Sequence, residues 1–127
     1  MSIERRPENP TSGFSDTVTC VGPGRLIHVA GNVGFGADGK VVEGGMGAEA
    51  RATFDNIERA LAEAGATMAN VVKINAFVTS LDDYAEYAQA RGERFGEELP
   101  ASATVQVAGL LVGAQIEIDA VAFIPEP

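Results

Sequence analysis

Pro100-Ala101-Ser102-Ala103-Thr104-Val105-Gln106-Val107-Ala108-Gly109-Leu110, followed after five residues by Ile116-Glu117-Ile118, is the stretch on which the reading of this chain turns. It holds two strand patterns of period two, separated by a glycine-containing connection. In the first, near Ser102–Val107, Ala103, Val105 and Val107 alternate with Ser102, Thr104 and Gln106. In the second, near Gln115–Phe123, Ile116, Ile118, Ala120 and Ala122 alternate with Glu117, Asp119, Val121 and Phe123. The more apolar set of each strand is expected toward a core, so Glu117 projects from the opposite face, between two buried isoleucines.

Upstream, Val71–Thr79 is rich in β-branched residues and reads as a strand, with Val72, Ile74, Ala76 and Val78 on one face and Lys73, Asn75 and Phe77 on the other. Ser80 then caps a second helix whose first turn is acidic, and Tyr84, Tyr87, Arg91 and Phe95 line up along it. Gly92 weakens that helix by roughly 1 kcal/mol relative to alanine. A first helix covers about Ala48 to Ala64: Phe54, Ile57, Leu61 and Ala64 recur at helical spacing, Glu49, Arg51, Asp55 and Glu58 are left for the solvent side, and Gly65 ends it. Thr17–Val21 and Leu26–Ala30, joined through Gly22-Pro23-Gly24, read as a hairpin, and the first sixteen residues as a loop-like arm. The predicted order is β-β-α-β-α-β-β: one α+β domain over 1–127, with one sheet and two helices on one of its faces.

Composition narrows the function. Hydrophobic residues make up 46% and charged residues 21%, ordinary values for a folded globular chain. No apolar run is long enough to cross a bilayer, and the N-terminus lacks the apolar stretch of a secretory signal, so the expected location is cytoplasmic and no membrane partner is expected. Nine basic against eighteen acidic residues give a net charge of −9, which argues against a nucleic-acid partner. Cys20 is the only cysteine and reads as a small core residue. His28, the only histidine, alternates with Leu26 and Ala30 and reads as structural. Without a second histidine or a cysteine cluster there is no signature of a metal site or of a cofactor. Gly31-Asn32-Val33-Gly34-Phe35-Gly36 lacks the strand–turn–helix setting of a phosphate loop.

The helix-free sheet face carries both polar and apolar residues. Alternation alone leaves two readings open, a solvated antiparallel face and a subunit interface with a wet pocket. The C-terminal segment separates them, because it resembles the signature of the RidA (YjgF-type) reactive-intermediate deaminase family. Gly13-Phe14-Ser15-Asp16, Val29-Ala30-Gly31-Asn32, Phe54-Asp55-Asn56-Ile57, Val71-Val72-Lys73 and Leu81-Asp82-Asp83-Tyr84 resemble further family segments in the same order. The resemblance implies a chorismate-mutase-like fold, a homotrimer closing a central barrel, and small-molecule clefts between subunits. It also implies hydrolysis of enamines or imines with release of ammonia.

Such a site needs an anchor for the substrate carboxylate and a group that positions water. Glu117 fits the second task by its place in the motif; the plainer reading is an exposed strand glutamate. Ser102 stands where the family has an arginine, and its loss removes a charge-assisted contact worth about 1.5–3 kcal/mol. Phe14 replaces a family tyrosine and Ala88 a common asparagine, so the expected cleft is more apolar and its substrate less dependent on a carboxylate. Thr104, Gly31 and Asn32 are candidate binding positions. Arg91 stands where relatives often have an aromatic; the plainer reading is a solvent-facing helix arginine, the other a compensating cation at the cleft rim. Two functions stay open: an imine or enamine hydrolase, and a non-catalytic metabolite-binding trimer. Ribonuclease activity is the weakest reading.

Overall fold

The computed structural model describes residues 2–127. The strands are β1 (Ser2–Arg6), β2 (Thr17–Val21), β3 (Gly24–Asn32), β4 (Val71–Val78), β5 (Ala101–Gln106) and β6 (Ile116–Pro125), and the helices are α1 (Gly45–Glu63) and α2 (Tyr84–Phe95). Four strands form a mixed sheet in the order β3-β6-β4-β5, antiparallel except for the parallel β4–β5 pair. Both helices cover one face of it, around a core that includes Phe54, Ile57, Leu61, Ile74, Tyr87 and Ile118. The α+β class therefore stands. None of the helices is long and apolar enough to cross a membrane.

The amphipathic pattern of α1 does what its spacing predicts, with Phe54, Ile57 and Leu61 buried. Its end is a Schellman motif: Gly65, at φ +84, donates to the Ala62 carbonyl and Ala66 to that of Leu61. Ser80 accepts from the Asp82 N–H and starts the short turn that leads into α2.

The strand pairing departs from expectation at two places. The arm, read as loop-like over 1–16, contains β1 (Met1 lies outside the described residues), and β2 pairs with β1 rather than forming a hairpin with β3. The anchor of this two-stranded ribbon is Arg5, whose guanidinium donates to the carbonyls of Val71, Leu99 and Ala69 at 2.9, 3.0 and 2.7 Å. A charged strand that gains its place through side-chain donors carries no hydrophobic pattern. Cys20 pairs with Ile3 on the ribbon face that carries Arg5, yet it is exposed rather than a core residue.

The second departure is the phase of β5. Parallel pairing sets Ile74 beside Ser102 and Ala76 beside Thr104, so Ser102 and Thr104 face the helices while Ala103 and Val105 face the bare side. The alternation points Ala103 and Val105 inward, but both are small, so burying them contributes little and the pattern gives way. The hydroxyls turn inward because the corner beneath α2 is itself polar, built from Tyr84, Tyr87 and Arg91. The bare face keeps Leu26 and Val105 58% and 47% exposed, an apolar area that a solvated face does not need. His28 lies exposed on β3.

Candidate functional site

The sheet positions the candidate residues in two groups, one at each margin. The first gathers about Glu117. β6 sets its side chain on the bare face, half-buried, beside Gly31 of β3. A Cβ on Gly31 would come within 2.5 Å of Glu117 Oε2, so the carboxylate lies over that α-carbon and has to shift for any larger residue. A β-bulge between Val29 and Asn32 turns the strand here, and Asn32 folds back to donate to the Ala30 carbonyl at 2.8 Å. Glu117, Gly31, Asn32, Phe35, Leu111 and Val112 bound a cavity of about 220 Å³. None of the ion pairs of the described residues involves Glu117.

The sequence did not point to the lip of this cavity. Leu111 and Val112 are 80% and 63% exposed, and Val112 sits at φ +56, a conformation strained for a β-branched residue. Glu49 holds the segment in place. It was read as a solvent-side helix residue; instead it is buried, accepting from the Gln115 N–H at 2.8 Å and from Gln115 Nε2 at 2.6 Å. A buried acceptor serving a loop two residues before Glu117 leaves no trace in helical periodicity.

The second group lies at the opposite margin, on the helix side of the edge strand β5. The hydroxyl of Tyr87 is its centre, with Ser102, Thr104 and the Arg91 guanidinium around it. Burial pushes the Tyr87 phenol above its ordinary pKa, against the opposing pull of Arg91 and the two hydroxyls. Neither the Tyr87 hydroxyl nor Ser102 Oγ is in hydrogen-bonding geometry with any partner among the described residues. Arg91 is 2% exposed, which corrects the plainer reading of a solvent-facing arginine. It donates to Tyr84 Oη at 3.3 Å and to the Ser12 carbonyl at 3.2 Å, and it packs over the rings of Tyr84 and Tyr87. Phe14 is half-buried between Gly13, which touches Arg91, and Ser15, whose N–H and hydroxyl donate to the Pro100 and Leu99 carbonyls. Ala88 is half-buried on α2.

Within one chain the two groups do not meet. Glu117 on β6 faces the bare side beside β3, Ser102, Thr104 and Arg91 face the helices, and β6 and β4 separate β3 from β5. A larger groove of about 810 Å³ runs between α1 and residues 33–42. Within it Arg59 donates to Asn56 and Asn56 to the Val33 and Phe35 carbonyls.

Fold and site together define a class: a small α+β protein whose mixed sheet bears two helices on one face, leaves the other bare, and sets a carboxylate at a marginal cavity. The family model described as endoribonuclease L-PSP matches residues 4–124, and the chain belongs to that family, also called the YjgF/RidA family. It is 34% identical to a RutC family protein of Pyrococcus abyssi over 94% of this chain and 92% of that one. It is also 34% identical to the human 2-iminobutanoate/2-iminopropanoate deaminase, over 77% of this chain and 72% of that protein. Among solved structures, a Rid-family protein of Yersinia pestis superposes with a TM-score of 0.84 at 30% identity, covering 98% of this chain and all of that one (100%).

Proposed function

We propose that this chain is a ridding enzyme of its family: a hydrolase of an enamine or imine intermediate, working as a homotrimer whose clefts lie between copies. The single observation that carries the reading is the Glu117 carboxylate, held against Gly31 at a cavity of about 220 Å³ and free of any ion pair among the described residues. The kinship with proteins named 2-iminobutanoate/2-iminopropanoate deaminase supports the reaction class. The trimer is supported by the bare, partly apolar sheet face and by the separation of the two residue groups, which a second copy would bring together.

In this reading an enamine first tautomerises to the imine. Water adds to the carbon of the C=N bond while Glu117 takes its proton, giving a tetrahedral carbinolamine. Glu117 passes that proton to the nitrogen, completing the carbinolamine; it then takes the hydroxyl proton and delivers it to the same nitrogen as the C–N bond breaks, so the oxygen keeps the carbon as a ketone and ammonia leaves. Imine and water become ketone and ammonia, with no oxidant or reductant. Gly31 and Asn32 frame the water side of the cleft, and Phe14, Ser102, Thr104 and Arg91 of the neighbouring copy frame the substrate side. Ser102 in place of the family arginine favours the second reading, a trimer that holds a metabolite without turning it over. The net charge of −9 weighs against an RNA substrate.

The test is ammonia release from enzymatically generated 2-iminoacids by wild type and Glu117→Gln. Turnover that falls by about a hundredfold or more in Glu117→Gln supports the hydrolase. Silence of the wild type on every imine offered moves the function to binding.

A further inference from the structure

We infer that the anion anchor of this protein has moved from the strand to the helix: Arg91, not residue 102, receives the substrate carboxylate. The inference rests on the hydrolase reading for the identity of the substrate, and it reverses the expectation of a substrate less dependent on a carboxylate.

Arg91 is a buried cation without a counter-charge. It is 2% exposed, and the ion pairs of the described residues are Arg6–Glu4, Arg51–Glu93 and Arg94–Asp55, none of which involves it. Its two hydrogen bonds, to Tyr84 Oη and the Ser12 carbonyl, are long and go to neutral acceptors, and Nε has no acceptor. The tyrosine rings at 5.8 and 5.3 Å offer partial compensation. A guanidinium taken out of water in this state is costly, and the chain's eighteen acidic residues supply no carboxylate to it among the described residues. A purely structural role would be served better by an apolar side chain.

The neighbours carry the same imbalance. Ser102 Oγ and the Tyr87 hydroxyl are buried beside it and reach no partner in full hydrogen-bonding geometry, although they lie close enough to each other, to Thr104 and to Arg91 to act on the phenol, and Arg91 Nε has no acceptor. An anion satisfies all of these at once: a carboxylate accepts a bidentate pair from the guanidinium and leaves lone pairs for the hydroxyls. Serine at 102 then becomes intelligible, because a second arginine there would set two like charges in one buried corner. Entry requires the Ser12 carbonyl to yield. That carbonyl lies on the turn whose Gly13, at φ +83, leaves no room for a Cβ beside Arg91 Nη2 (2.9 Å). A carboxylate oxygen replaces it as the stronger acceptor.

The experiment measures binding rather than turnover. Isothermal titration compares 2-oxobutanoate with its uncharged analogue 2-oxobutanamide, on wild type, Arg91→Gln, and the double variant Arg91→Gln/Ser102→Arg, with thermal melts to verify folding. The wild type is expected to prefer the acid, Arg91→Gln to lose about ten- to a hundredfold of affinity for the acid and little for the amide, and the double variant to regain it. Equal affinity of the wild type for acid and amide overturns the inference and needs no variant. So does an Arg91→Gln protein that folds and binds the acid like wild type. Preference for the acid through Arg91 with no ammonia release leaves the anchor standing and sinks the hydrolase instead.

Discussion

Gly31 is the residue whose side chain would do the most damage at the least cost to the fold. It is exposed and its φ is not in the left-handed region, so alanine is tolerated by the backbone; the new methyl meets Glu117 Oε2 instead. Gly31→Ala is predicted to leave the melting temperature nearly unchanged while lowering kcat for imine hydrolysis on the order of a hundredfold, because the carboxylate must swing away from its water. Steady-state kinetics beside a thermal melt checks this. Tyr87 gives a second prediction through pH. Its folded-state pKa lies above the unfolded value of about 10, so the stability it contributes is present in full below pH 10 and is lost as pH rises past it. Thermal melts from pH 7 to 11 are expected to show an alkaline decline that Tyr87→Phe reduces. At this scale the sequence disclosed Glu117 and Gly31 through their motif. It lined Tyr87 and Arg91 up on α2 but set Glu49 on the solvent side and favoured an exposed Arg91, because Gln115, Ser12 and Ser102, which surround these side chains, lie far away in the chain.

Glu49 shows how one residue becomes a matter of elements. It ties α1 to the start of β6 through two hydrogen bonds with Gln115. Glu49→Ala is predicted to destabilise the protein by about 2 kcal/mol, since the Gln115 N–H would be left without its acceptor. It is also predicted to loosen the Leu111–Gly113 lip and raise KM. Urea denaturation and substrate titration separate the two effects. α1 was legible because its apolar residues recur at one period and glycine ends it. The face of β5 was not, since Ala103 and Val105 look like core residues and Ser102 and Thr104 like surface ones, yet α2 supplies a polar corner that reverses them. β1 was hidden for a different reason: Ser2–Arg6 holds to the body through Arg5 and three backbone carbonyls, a kind of anchoring that no periodicity records.

For the molecule as a whole, the function depends on what covers the bare sheet face. Leu26 and Val105 stay exposed there, and Glu117 with Gly31 lies on a different margin from Arg91, Ser102 and Thr104. One arrangement answers both facts: copies of the chain packed by their sheets, with each cleft completed by a neighbour. The −9 charge keeps such an assembly soluble and sets a premium on a buried cation wherever an anionic substrate must bind. The most direct test is sedimentation velocity on wild type and Val105→Asp, with ammonia release from a 2-iminoacid read on the same fractions. Val105 lies outside both residue groups and is exposed in the single chain, so aspartate there is compatible with the folded subunit. The expected result is a wild-type trimer that turns over and a folded Val105→Asp monomer that does not. A monomer that releases ammonia at the wild-type rate would contradict it.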